Sequence, residues 1–298
     1  MKLLGRYQNG NYTTLIFSDG TKIRQTEDDE FRPAFAENCD IKITNMCDMN
    51  CPMCHENSTI DGKHGDLNMK FLETLHPYTE LAIGGGAAQM HPGLVPFLEK
   101  LQKQKVIANL TVNQKHFEEN IDFLKDLCDK KLIYGLGVSL TRADKDFVDK
   151  IKLFPTAVVH TINGMLSKEQ IDVLKDNDLK MLILGFKNFR RGSAYLAANG
   201  SEIEAKQKYL YDNLGELTKH FNLISFDNLA LEQLNVRRLL TDKEWEQFYM
   251  GDDGTMTFYI DLVNKQFASS SISTKRYPIT DSIDDMFKTV LEEKNATI

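Results

Sequence analysis

Three cysteines stand close together, Cys47, Cys51 and Cys54, in the run Asn45-Met46-Cys47-Asp48-Met49-Asn50-Cys51-Pro52-Met53-Cys54-His55. The spacing is C-x3-C-x2-C. Three thiolates on one short loop can each take one iron of a cubane [4Fe–4S] cluster, leaving the fourth iron without a protein thiolate. An open position on a bound metal is a place for chemistry, not only for structure. The plainer reading of the same residues is tetrahedral zinc, with His55 or His64 as fourth ligand. No second Cys-x2-Cys or His-x3-His pair accompanies them, which weighs against zinc. An electron-transfer ferredoxin would bring a fourth cysteine. Cys39 and Cys128 stand alone and read as small buried apolar residues. A disulfide framework does not have this spacing, so a reducing, cytoplasmic location is expected.

The second chemical feature is Ile83-Gly84-Gly85-Gly86-Ala87-Ala88. Three glycines let a ligand approach the backbone, because no Cβ stands in the way. His91-Pro92-Gly93 then opens a helix, with His91 as a cap. Polar residues recur where later strands end: Asn109, Thr111, Asn113 and Gln114, then Ser139, then His160, Thr161 and Asn163. Gly185, Lys187, Asn188, Arg190 and Arg191 follow. Lys187, Arg190 and Arg191 form a local basic cluster that suits a carboxylate or phosphate, and equally a solvated loop. Asp227, after the last core strand, is the carboxylate nominated for substrate binding. Gly251-Asp252-Asp253-Gly254 lacks the distributed oxygen ligands of a calcium loop and reads as a turn.

The elements that must position these residues follow from the apolar pattern. Residues 12–17 and 21–24 alternate around a glycine-containing turn and predict a β-hairpin. From residue 40 onward, strands alternate with helices. Strands are expected at 40–44, 80–83, 106–112, 132–140, 157–162, 180–186 and 223–226. Helices are expected at 67–75, 94–104, 116–130, 142–154, 167–176 and 203–221, the fifth opened by a capping box from Ser167 to Gln170. Such alternation implies a parallel sheet with right-handed crossovers. The count, about six or seven units, falls short of the eight of a closed (β/α)8 barrel, so a partial (β/α)6-type TIM barrel is expected, with its site at the carboxyl ends of the strands. Residues 1–37 read as an N-terminal β-hairpin extension, 38–230 as the core and 231–298 as a small α+β extension packing on it. Within that extension, a helix at 242–249, paired strands at 256–263 and 267–271, and a helix at 282–293 are expected.

The bulk properties set limits. At 298 residues and 42% hydrophobic, the chain can bury a substantial core. A net charge of −7 disfavours a nucleic-acid polymer as partner, since gripping phosphates needs clustered Lys and Arg. No apolar run has the length of a signal peptide or a membrane span, so no membrane association is expected.

A C-x3-C-x2-C loop after the first strand of a partial barrel resembles the signature of the radical SAM superfamily. The resemblance implies that Cys47, Cys51 and Cys54 hold a [4Fe–4S] cluster whose open iron binds S-adenosylmethionine. An electron from a reductant such as flavodoxin or ferredoxin then cleaves it, and the resulting 5′-deoxyadenosyl radical takes a hydrogen atom from the substrate. Met53 takes the place where the family usually has an aromatic residue against adenine, a contact a thioether can also make. The stretch from His55 borders the adenine in the family. Gly84, Gly85 and Gly86 match the glycine motif that holds the methionine amino group through backbone carbonyls. The family's acidic residue is replaced here by Ala87 and Ala88, which opens the alternative of SAM binding without turnover. Asn113, Ser139 and Gly185 fall at strand ends that the family uses for SAM, and Lys187, Arg190 and Asp227 are left for substrate. The substrate class stays open between small molecule, nucleotide and peptide. A zinc-stabilised binding protein remains the other alternative.

Overall fold

The computed structural model describes residues 2–296. The chain opens with an antiparallel three-stranded sheet, β1 (Leu3–Asn9), β2 (Tyr12–Phe17) and β3 (Lys22–Gln25). The expected hairpin is β2–β3, and β1 precedes it across Asn9-Gly10-Asn11, where Gly10 takes φ 57°. That Asn-Gly pair is itself a hairpin signal. The small sheet is tied to the rest by Glu37. Its carboxylate accepts from Tyr12 Oη at 2.7 Å and from Arg24 Nη2 at 2.7 Å, with Lys22 at 3.3 Å.

The main sheet has ten strands: β4 (Asn38–Thr44), β5 (Glu80–Gly85), β6 (Ile107–Asn113), β7 (Gly135–Ser139), β8 (Ala157–Ile162), β9 (Lys180–Leu184), β10 (Leu223–Phe226), β11 (Thr257–Asp261), β12 (Gln266–Ala268) and β13 (Tyr277–Pro278). Their order is β10-β9-β8-β7-β6-β5-β4-β11-β12-β13. Strands β4 to β10 are parallel neighbours in chain order, and β11 adds to β4, also in parallel. The C-terminal segment read as an extension therefore continues the same sheet. At the far side, Asn228, just after β10, donates to Gly251 O at 3.3 Å and to Asp253 Oδ1 at 2.8 Å, just before β11. The two flanks of the parallel sheet thus meet.

Helices α1 (Leu94–Lys103), α2 (Gln114–Glu119), α3 (Ile121–Asp129), α4 (Lys145–Ile151), α5 (Lys168–Leu174), α6 (Arg191–Leu217), α7 (Asn228–Gln233), α8 (Asp242–Phe248) and α9 (Ile283–Asn295) complete the chain. Several depart from expectation. The helix expected at 67–75 is a single 3-10 turn, Lys70–Glu73. Asp66 accepts from the Asn68 N–H and bends the chain into a turn, and His76 precedes Pro77, which disfavours helical backbone there. The helix at 116–130 is two, broken at Asn120 (φ −129°, ψ 30°). The helix at 203–221 starts at Arg191 and bends at Asn199, which leaves helical geometry. The capping box of Ser167 and Gln170 is present.

The two faces of the sheet differ. Ile41, Ile43, Leu81, Ile83, Leu110, Val138 and Ile183 are buried against helix residues such as Leu98, Leu101, Phe117, Phe147 and Leu214. The alternate residues face the other way; on β4 to β7 they are mostly polar or small, and on β8 and β9 they include Val158, Ile162, Leu182 and Leu184. Asp40, Ala82, Asn109 and Gly135 form one row across four adjacent strands. Asp40 and Ala82 are exposed although their strands have neighbours on both sides. This face is lined rather than filled, and it leads up to the strand ends.

Candidate active site

The cysteine loop leaves β4 and is stapled at every step. Asn45 N–H donates to Lys63 O at 2.8 Å, Cys47 N–H to Thr59 O at 2.8 Å, and Thr59 N–H to Asn45 O at 3.1 Å. Asp48 accepts from Lys115 at 2.8 Å and lies 2.5 Å from His116 Nε2, which pins the C-x3-C segment to α2. Hydrogen bonding from Lys115, then His116, holds that carboxyl down at about 2. Arg191 donates to Asn50 Oδ1 at 2.8 Å and to Ser58 O at 2.5 Å. Burial, then Cys54 and Cys47, push the Cys51 thiol up, and burial does the same for Cys47. Several thiols share a half-buried site, and a cation held among them would relieve that cost.

The glycine turn locks onto this loop. Gly86 N–H donates to Thr44 O at 2.8 Å and Ala87 N–H to Met46 O at 2.7 Å. A Cβ on Gly85, at φ 112°, would come within 2.4 Å of Thr44 O, and one on Gly86 within 2.2 Å of Met46 O. Gly84 differs: a Cβ there would meet nothing within 4 Å, because it borders open space. Two glycines allow close packing on the cysteine strand, and the third exposes backbone to open space.

That space is a cavity of about 520 Å³ at the carboxyl ends of β5 to β9. Cys47, Cys51, Cys54, Met53, His55 and Gly84 to Gly86 line one end. Asn113, Ser139, Gly185 and Lys187 also line it, so twelve of the fourteen nominated residues share one cavity. Lys187 Nζ donates to Ser271 Oγ at 2.9 Å and lies 3.4 Å from His55 Nε2. Among the described residues, no carboxylate pairs with it within salt-bridge distance.

The other two are elsewhere. Asp227, nominated for substrate, has Oδ1 accepting from Ala230 N–H at 2.8 Å as the N-cap of α7 and from Gly185 N–H at 2.8 Å. Arg190 donates to the carbonyls of His55 at 3.3 Å and Glu56 at 3.1 Å. Both brace loops, and neither lines that cavity. His91, expected as a cap, does not cap α1, whose N-cap is Gly93: its Nδ1 accepts from Gly93 N–H at 3.0 Å, just ahead of the helix.

Sequence reading missed the charged group beneath the cysteine loop. Lys42, on β4 between Ile41 and Ile43, is 2% exposed. Its ammonium lies 2.9 Å from Glu56 and 3.3 Å from Asp261 at the end of β11. Tyr259 Oη donates to Glu56 at 3.0 Å. The Lys42 side chain also fills the space that a Cβ on Gly85 would claim, 2.8 Å from its Cγ. Cysteine loop, glycine turn and β11 therefore share one buried lysine. The signal was a lone charge in an apolar strand. Also on the open face, the His160 ring lies flat over Gly137, where a Cβ would fall 2.3 Å from Cε1. Burial lowers its imidazole to about 4.

No family model and no curated protein matches the chain. Solved structures do. Streptococcus suis SuiB bound to precursor peptide SuiA aligns with a TM-score of 0.58 at 15% identity, over 90% of this chain and 68% of that one. SuiB bound to S-adenosylmethionine gives 0.56 at 13%, over 87% and 68%. SuiB itself gives 0.51 at 15%, over 79% and 60%. The chain has the SuiB fold. The likeness is one of fold alone. Among the described residues, no helix is long and apolar enough to cross a membrane.

Proposed function

We propose that the chain is a radical SAM enzyme, that its parallel core is a partial barrel, and that its substrate is a peptide. The observation that carries the reading is the opening of all three thiols and of Gly84 onto one cavity. Its volume, about 520 Å³, lies in the range of cofactor sites. The donor set suits a cluster. Three thiols on one loop, all lining the cavity, suit ligation of three irons of a cluster.

In this reading Cys47, Cys51 and Cys54 hold the cluster. Gly84 presents backbone to the methionine amino group, and Lys187 is the cation for its carboxylate. Met53, His55, Asn113, Ser139 and Gly185 enclose the nucleoside end. With cluster and S-adenosylmethionine in place, the site supplies a 5′-deoxyadenosyl radical once a reductant delivers an electron. The chain's own residues orient that cofactor, keep water from the radical and present the substrate. The contact between Asn228 and the turn before β11 supports the curvature of a partial barrel. The peptide assignment is supported by SuiB, solved with its precursor peptide.

Anaerobic reconstitution with iron and sulfide tests the cofactor assignment. A brown protein with about four irons per chain, lost in Cys51→Ala, supports it. Stoichiometric zinc with no visible charge-transfer band sinks it.

A further inference from the structure

Of the basic cluster Lys187, Arg190 and Arg191, the last has a place outside the cavity. Lys187 lines the cavity and Arg190 braces the backbone after Cys54, whereas Arg191 opens α6 and does not line it. Its Nη1 donates at 2.8 Å to Oδ1 of Asn50, the residue before Cys51. Its Nη2 donates at 2.5 Å to the carbonyl of Ser58, beyond Cys54. The next residue, Gly192, is buried against the same loop: a Cβ there would fall 2.2 Å from Lys187 O and 3.5 Å from Met53 O. The guanidinium is thus held at both ends of the segment that carries Cys51 and Cys54.

Two of its properties have no use inside the chain. Its Nε–H is buried and has no acceptor among the described residues. Buried N–H groups are nearly always paired, so an orphan marks a missing acceptor. Its charge is also unmatched, since among the described residues no carboxylate lies within salt-bridge distance of it. Asp48, the acid of the loop, is taken up by Lys115 and His116 instead. The groups this charge does act on are thiols: burial pushes Cys51 and Cys47 up, and Arg191 opposes it at both. An anionic sulfur is an acceptor for a charged N–H, and a thiolate on iron is such a sulfur.

We propose that Arg191 donates its Nε–H to the Cys51 thiolate of the bound cluster, and that its charge raises the cluster's reduction potential. The cluster rests on the radical SAM reading, while the orphan Nε–H rests on this structure alone. Three thiolates leave an oxidised [4Fe–4S] cluster with net negative charge, and the electron from the reductant adds to it. A fixed cation and a hydrogen bond to sulfur both favour the more negative, reduced state. One electron passes from reductant to cluster, and Arg191 keeps its protons throughout.

The test is a mediated dithionite titration of the anaerobically reconstituted full-length protein, followed by EPR, with iron content measured on the same samples. Arg191→Gln should shift the reduction equilibrium about tenfold towards the oxidised cluster, a fall of about 59 mV for one electron. Arg191→Lys, which restores the charge without the Nε–H, should recover part of that shift. A purely structural brace would lower the iron retained and leave the potential of the remaining clusters unchanged, and that result would overturn the proposal. Native protein with 15N-labelled arginine side chains gives a second reading that needs no stable variant. Its reduced cluster should show a 15N hyperfine coupling in pulsed EPR, and absence of that coupling would overturn the Nε–H contact. A native chain that takes up no cluster would sink the radical SAM reading and this assignment with it. An intact cluster whose potential is indifferent to Arg191 would sink this assignment alone.

Discussion

At the scale of single residues, Lys42 has the most consequence outside the cysteines. Its ammonium is almost wholly buried and faces Glu56 and Asp261. Removing one member of a buried ionic group leaves the others charged and unpaired, which typically costs about 3–5 kcal/mol. Lys42→Met should therefore destabilise the chain by about that amount in urea titration. A loss below about 1 kcal/mol would mean that the group is solvated. His160 gives a pH signature. Its folded value is lowered to about 4 from 6.5, so the unfolded chain takes up a proton between those values while the folded chain does not. Stability should fall as pH drops from about 6.5 towards about 4 and then level off with respect to this group. Denaturant titrations across that range should show a shallower fall in His160→Gln, and an unchanged slope would refute the assignment. The cysteines and glycines were legible because spacing along one loop carries their meaning. Lys42 was not, because its partners Glu56 and Asp261 lie far apart in sequence and meet only when β11 joins β4.

At the scale of elements, the loops after the strands are built against one another. Gly86 packs on the carbonyl of Met46 without room for a Cβ. Gly86→Ala should displace the cysteine loop and lower the iron retained after reconstitution, while Gly84→Ala, facing open space, should keep the cluster and weaken S-adenosylmethionine binding. Iron content and equilibrium dialysis separate the two, and equal behaviour of both variants would contradict the division. Asp227 belongs at this scale, since it caps α7 and holds Gly185. Asp227→Ala should cost about 1 kcal/mol, as loss of an N-cap does. Most strands and the Ser167 cap were legible in the apolar pattern. The turn at 70–73 was not, because Leu67, Phe71, Leu72 and Leu75 carry helical spacing while Asp66 and Pro77 stop the helix from forming. The kink falls on Asn199-Gly200, a pair that marks turns in sequence, and the helix resumes beyond it.

At the scale of the whole molecule, one sheet separates a packed face from a lined one. Strand β11 looks detached in sequence because the βα alternation has stopped before it. In space it supplies Tyr259 and Asp261 to the group under the cysteine loop. The polar face of the sheet leads up to the cavity of about 520 Å³ at the strand ends. The central claim is that this arrangement generates a 5′-deoxyadenosyl radical. Its most direct test is chromatographic detection of 5′-deoxyadenosine from S-adenosylmethionine, with reconstituted protein under dithionite and strict anaerobiosis. The expected result is 5′-deoxyadenosine and methionine from the native chain, with none from Cys47→Ala, Cys51→Ala or Cys54→Ala. A fully clustered native protein that releases no 5′-deoxyadenosine, even with a bound peptide, would contradict the claim.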